Sequence, residues 1–264
     1  FDSSPDHRLS DGGCARVRVR AMTPDRVAER LLDGWSEADD GPAPAMWSPG
    51  WSAWVDRVDS ARAGDGQEPV TGERVAVMAS PLVLAVPVAV GEAIGHPERS
   101  VGWTDLVRLS EDPPGWAAYG HPEWGQLRTG KTDPRVASDG LAALVAQAHA
   151  AHAGGGVVST DGLTDPTVED HVAILERSVV HYGETAGPFL DRWERAEDVD
   201  DVASLAIPIV EERRIVTHEA TLAEGADEES PPATDLVAIP PAEGTVVLEW
   251  QLEHCEIVAP DPWP

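Results

Sequence analysis

The chain has 264 residues, 42% of them hydrophobic, with a mean hydropathy of −0.24, which suffices for one large domain or two lobes with a substantial core. The net charge of −28 excludes the phosphate-neutralising surfaces that nucleic acids and anionic membranes require. No run of about 18 apolar residues is present, so no membrane span is predicted, and no export signal is visible at Phe1.

Arginine carries nearly all the positive charge, since Lys131 is the sole lysine. The acidic skew is read as a solubility or salt adaptation. Cys14 and Cys255 lie near opposite ends; an even count permits one disulfide and equally permits two free thiols. No Cys-x-x-Cys zinc motif exists.

In chain order, Ala15–Ala21 alternates valine with arginine and predicts an edge strand. Thr23-Pro24 then supplies an N-cap with proline at the first helical position, and Val27, Ala28, Leu31 and Trp35 form one helix face. Ala43–Trp47 predicts a short strand broken by Ser48-Pro49. Trp51, Trp54, Val55 and Val58 mark the next helix face. Val75–Met78 and Leu82–Val90 read as separate strands with Ser80-Pro81 between them, and Pro87 places the second at a sheet edge.

Short helices are predicted near Glu92–Ile94 and Thr104–Leu109, followed by a loop at Trp116–Trp124. A long helix covers Asp139–Ala153, with Leu141, Leu144, Val145 and Ala148 inward. Thr167–Tyr182 reads as an amphipathic helix and Ala186–Ala196 as another. Val202–Ile209, Leu236–Ile239, Val246–Trp250 and Cys255–Val258 predict strands, with a short helix at Glu211–His218 and a solvated loop at Glu224–Thr234. Strands alternating with helices indicate an α/β class.

The densest stretch of candidate chemistry is Gly125–Gln147. Its first eight residues match the phosphate-loop pattern GxxxxGK[ST]. The residues before it, Tyr119–Trp124, cannot form the buried strand that such a loop needs, and Pro134 disfavours helix at Asp133. The alternative places a helix N-terminus later, with Ser138 as N-cap and the amides of Asp139 and Gly140 facing a ligand.

Other candidates are weaker. No G-x-S-x-G or H-E-x-x-H is present. His149 and His152, three apart on a helix, read as solvent-facing, and Glu211-Glu212 as a solvated helix start. Trp47, Trp51 and Trp54 cluster around a strand-to-helix loop, the end of an α/β sheet where ligands bind.

The segments PAMWSPGWSAW, SPLVLAVP, VGWTDL, GWAAYGHPEWG, GKTDPRVASDGL, VVHYGETAGPFLDRW, EERRIV and LVAIPPAEGT cover most of Ala15–Thr245. Together they resemble the bacterial extracellular solute-binding proteins of the type II periplasmic-binding fold. The likeness is greatest to an actinobacterial group in which such a domain precedes a von Willebrand type A domain. More distantly the pattern is similar to molybdate- and sulfate-binding relatives.

That resemblance implies an α/β, two-lobed periplasmic-binding-protein-like fold with two hinge crossings, at Leu82–Val90 and Leu236–Pro240. Lobe I would comprise residues 1–90 and 235–264, and lobe II residues 91–234. It implies ligand contacts at Trp47 and Ser48, at Ser80, at Lys131, Thr132, Ser138, Asp139 and Gly140, and at Tyr182. Such relatives also carry an earlier strand with a serine-rich loop and a closing helix, which this stretch is not expected to supply.

The expected function is extracellular capture of a small polar solute or oxyanion, for transport or sensing, without catalysis, cofactor or metal. The chain would be a monomer, anchored to the membrane through a segment outside this stretch. A von Willebrand domain in cis or a transporter would be its partner. A second expectation is a sensor or adhesion module that binds a protein and no solute. A third is a nucleotide hydrolase, which would lose magnesium-dependent turnover in Lys131→Ala.

Overall fold

The computed structural model describes residues 18–69, 71–111, 115–152, 159–194, 207–225 and 236–255. Among these, seven strands form one sheet: β1 (Met46–Trp47), β2 (Thr71–Pro87), β3 (Thr129–Thr132), β4 (Val179–Gly183), β5 (Ile207–Glu211), β6 (Leu236–Ile239) and β7 (Val247–Cys255). Their order is β1-β7-β2-β5-β3-β4, with β6 also paired to β2. The β3–β4 and β3–β5 pairs are parallel, and the rest are antiparallel. β3 and β5 are buried along their whole length, as strands covered on both faces must be.

β2 organises the sheet by changing partners along its length. Residues from Thr71 to Pro81 pair with β7, whereas Leu82–Leu84 pair with β5 and Leu84–Pro87 with β6. The two strands predicted on either side of Ser80-Pro81 are therefore one continuous strand. Proline is tolerated there because the ladder changes hands at that point: Pro81 opposes Val247, and the Leu82 amide donates to Val246 O at 2.9 Å. The apolar run does not continue as strand to Val90. Pro87 ends β2 and serves as N-cap of α4 (Val88–Ala93).

Helix α1 (Pro24–Asp33) starts as its sequence dictates, with an extended Thr23 before Pro24. With α3 (Ala53–Gly64) it encloses a small core of Val27, Leu31, Trp47, Trp54, Val55 and Val58. A larger core lies under the second half of β2, against α4, α5 (Trp103–Glu111), α6 (Ser138–Ala151) and α8 (Pro166–Ser178). Two short helices, α2 (Glu37–Asp40) and α7 (Thr160–Leu163), and two 3-10 turns at Gly115–Tyr119 and Pro122–Trp124 complete the connections. A third cluster sets Val83, Ala85 and Val210 against α9 (Gly187–Glu194) and α10 (Glu212–Gly225).

Several expectations need correction. Arg18–Ala21 is not strand, and Val19 is 92% exposed, because no neighbour pairs with that backbone. The helix expected to reach Tyr182 stops at Ser178, and Val179–Gly183 extends as β4 beside β3. The β-branched pair Val179-Val180 favours strand, and the helical spacing of Tyr182 was coincidental. Helix α6 buries Ala142, Ala143, Ala146 and Ala148, while Val145 is exposed. Small side chains let α6 approach the sheet and α8 closely, so its alanine stripe is the inner face. Cys14 lies outside the described residues, as does the Cys255 side chain.

One long-range cap ties the chain's late residues to α5. Glu243 accepts the Trp103 and Thr104 amides, each at 2.9 Å. Burial pushes its carboxyl pKa upward, but these hydrogen bonds outweigh it, and the net shift is downward. We expect Glu243→Ala to cost about 1–2 kcal/mol in a urea-unfolding experiment. The sign of its pH dependence follows from the lowered folded pKa. Its contribution is full above the ordinary glutamate range and is lost as pH falls through the depressed value. The Glu243→Ala variant should therefore show a flatter acid limb than the wild type.

Candidate functional site

The predicted residues fall into groups that strand geometry separates. Adjacent residues of a strand point to opposite faces. Thr132 faces α6, where its hydroxyl donates to Asp139 Oδ1 at 2.6 Å. Lys131 points the other way, to Glu176 on α8, and its ammonium lies 5.8 Å from the Tyr182 ring centroid. Tyr182 also donates to Glu176. The second half of the phosphate-loop match, Thr129–Thr132, thus lies in extended strand β3, with its backbone in the sheet ladder.

Lys131 is wholly buried, and desolvation lowers its pKa despite the attraction of Glu176. Tyr182 is shifted the opposite way, by burial first and then by the neighbouring carboxylate. The pair is a structural ion pair beneath β4 rather than part of the α6 group.

Ser138, Asp139, Gly140, Thr132 and Ser80 are brought together with residues that sequence reasoning passed over. Ser138 is the first helical residue of α6, and Ala137 takes the N-cap position in place of the expected serine. The Ser138 hydroxyl donates to Pro49 O at 2.7 Å and accepts from Trp54 Nε1 at 3.1 Å. A Cβ at Gly50 would lie 3.1 Å from the Trp250 ring and 3.4 Å from Ser138 Oγ, so this turn lies against both.

Glu211, at the end of β5, accepts from Trp250 Nε1 at 2.9 Å and from Arg213 Nε at 2.7 Å. The Arg213 guanidinium stacks 4.1 Å over the Trp250 ring, and its amide donates to Ser80 Oγ at 3.1 Å. Glu211 is buried, not the solvated helix start expected from its sequence.

Asp139 completes the group. Burial raises its pKa, the hydrogen bond from Thr132 opposes that shift, the charge of Glu211 adds to it, and Arg214 pulls it down. Gly140 permits the close approach of α6 to β3, since a Cβ there would fall 2.2 Å from Thr132 O. We expect Gly140→Ala to destabilise by about 1–3 kcal/mol in thermal unfolding, through overpacking against backbone that cannot retreat.

Trp47 is buried in the small core and Ser48 is exposed beside it. Two surface clefts, of about 540 and 360 Å³, lie elsewhere, one beside Arg108 and Tyr119 and one beside Thr167 and His171. Neither is lined by the predicted residues. Among the described residues no group of three or more His, Cys, Asp or Glu is placed to hold a metal. No described helix is long and apolar enough to cross a membrane.

The architecture is the mixed α/β arrangement of type II periplasmic-binding proteins, and comparison with known proteins agrees with it. The family model described as bacterial extracellular solute-binding protein matches residues 10–242, so the chain belongs to that family. Among solved structures it is similar to iron-bound HitA from Pseudomonas aeruginosa, at 15% identity and a TM-score of 0.53, covering 91% of this chain and 67% of HitA.

Two weaker likenesses are to the sulfate-binding protein SubI from Mycobacterium tuberculosis H37Rv and to AfuA from Actinobacillus pleuropneumoniae with exogenous fructose-6-phosphate bound. SubI gives 15% identity and a TM-score of 0.49, over 89% of this chain and 63% of that one. AfuA gives 17% and 0.48, over 88% and 63%. The chain spans about half to two thirds of the length of the solved structures it matches. No curated protein matches it in sequence.

Proposed function

We propose that this domain captures a small polar solute or oxyanion at the junction where β2 exchanges β7 for β5 and β6. The observation that carries this reading is the convergence there of Ser80, Ser138, Asp139 and Glu211 from three separated stretches of the chain. In open α/β sheets, ligands bind beyond the C-terminal ends of parallel strands. Helices α6 and α10 both begin at such ends, following β3 and β5.

On this reading lobe I comprises residues 1–90 and 235–264, lobe II comprises 91–234, and β2 and β6 are the crossings between them. Their antiparallel pairing, Leu84 with Ile239 through Pro87 with Leu236, supports a two-stranded hinge. The Ser138–Pro49 and Ser138–Trp54 contacts then belong to a closed arrangement that opens to admit solute. Thr132 supports Asp139 from below, Lys131 and Tyr182 brace the neighbouring strands, and Ser48 forms the rim with Trp47 packed behind it. The domain binds without catalysis, as a monomer tethered to the cell surface, serving a transporter or a von Willebrand domain in cis.

A thermal-shift panel of phosphate, sulfate, glucose, arginine, spermidine and magnesium–nucleotide tests the reading. A ligand at 100 times its Kd adds about 2.7 kcal/mol of stability. The expected result is a raised midpoint with one class of compound, weakened in Ser48→Ala, whose exposed side chain leaves the fold untouched, and in Ser80→Ala. A flat panel on the folded protein would count against solute capture. A response confined to magnesium–nucleotide and abolished in Lys131→Ala would favour the hydrolase instead.

A second reading rests on the outer half of the β2–β7 ribbon. Val75, Val77 and Leu252 are exposed on described strands, a surface that suits a protein partner.

A further inference from the structure

The larger of the two clefts, about 540 Å³, lies between the end of α5 and the 3-10 turn Gly115–Tyr119, and Arg108, Leu109, Glu111 and Tyr119 line it. Small-molecule pockets run from about 300 to 1,000 Å³, so a compact solute fits. Both walls are anchored. Helix α5 buries Trp103, Leu106 and Leu109 in the large core and carries the Glu243 cap at its start. On the other wall the Trp116 amide donates to Gly125 O at 3.0 Å. A Cβ at Gly115, whose φ is +63°, would fall 2.6 Å from Gly125 O, so glycine is what lets these two segments meet. Trp116 then packs edge-on against Tyr119 at 6.0 Å and against Trp124 at 5.2 Å, which sets the phenol ring in the cleft wall.

Arg108 and Glu111 stand three apart on α5, which puts a cation and an anion side by side, their Cβ atoms about 5–6 Å apart. Both side chains are exposed, and among the described residues neither is held by a hydrogen bond or an ion pair. We infer that this cleft is a second binding site, for a zwitterionic solute of the amino-acid class with an apolar side chain. The carboxylate of such a solute pairs with the Arg108 guanidinium and its ammonium with the Glu111 carboxylate. Its side chain lies against the Tyr119 ring and Leu109. The mixed pair also discriminates: a dicarboxylate sets like charge against Glu111, and a diamine sets like charge against Arg108. The site lies apart from the junction of β2, and it stands whether or not solute is captured there.

Titration of the whole domain with L-leucine, followed by amide NMR, tests the inference. Isocaproate and isoamylamine, which each keep the side chain and one of the two charges, serve as comparisons. Leucine should shift the Arg108, Glu111, Gly115 and Tyr119 amides saturably, and each half-charged analogue should bind about fivefold more weakly or worse. Arg108→Gln and Glu111→Gln, at exposed positions outside the core, should each lower leucine affinity by about the same factor. A half-charged analogue that binds as tightly as leucine, unchanged affinity in either variant, or shifts that never saturate would overturn the assignment. Shifts confined to residues 138–141 and 211–214 would overturn it too, while supporting capture at the junction.

Discussion

Glu176→Ala should lower the stability of this domain by about 3–5 kcal/mol, whereas Lys131→Met should leave it nearly unchanged or raise it. The asymmetry follows from burial. Lys131 has no exposure, while the Glu176 side chain retains 24%. Removing the carboxylate strands an ammonium in the interior of β3, but removing the ammonium leaves a carboxylate that can reach water. Methionine fills the same volume and carries no desolvation cost. Urea unfolding of the two variants, with the double variant closing the cycle, measures the difference.

The pH dependence has a definite sign. Because the folded pKa of Lys131 lies below its ordinary value, the unfolded chain binds more protons between the two values. Stability therefore rises with pH through that alkaline window and falls as pH drops back through the folded pKa. Lys131→Met should abolish this rise. Equal losses in both single variants would show that the pair is solvated and would contradict the burial argument.

Trp54→Ala should be comparably damaging, at about 3–5 kcal/mol, since Trp54 is 1% exposed at the centre of the small core. Trp54→Phe separates the two roles of the side chain. Phenylalanine retains most of the packing and loses the indole N–H to Ser138, a cost of about 1 kcal/mol. The alanine variant should also loosen α1 and α3 from α6, because Trp54 joins them through Ser138 and Leu141 packs on the same cluster. Tryptophan fluorescence and urea midpoints of the two variants provide the comparison. A loss in Trp54→Phe as large as in Trp54→Ala would mean that the hydrogen bond, not the packing, holds the units together.

Much of the fold was legible because local signals and tertiary demands coincide. Thr23-Pro24 starts α1 and the alternation of helix and strand runs gives the class, whereas Pro87 sent Leu82–Val90 to a sheet edge although Leu82–Val86 is buried inside the sheet. Legibility failed where one local pattern served two structures. The helical spacing through Tyr182 hid the change to strand at Val179, and the leucines of α6 drew attention from its alanine face.

The site divides in the same way. Ser138 and Asp139 were singled out by helix-start chemistry and Ser80 by the family resemblance. Glu211 was read as a solvated helix start and Arg213 was passed over, because their meaning depends on Trp250, thirty-nine residues from Glu211, and no local rule carries that contact. One signal was available: Glu211 closes an apolar run that reads as a strand, the position from which side chains reach a ligand cleft. Lys131 and Thr132 show the converse. Side by side in sequence, they are sent to opposite faces by the strand they belong to.

Amide hydrogen exchange with and without the best-responding compound of the ligand panel addresses solute capture at the junction most directly. The account predicts added protection in three stretches, residues 47–50, 138–141 and 211–214, with the cleft beside Thr167 and His171 unchanged. Protection confined to that cleft, or to the exposed β2–β7 ribbon, would contradict it.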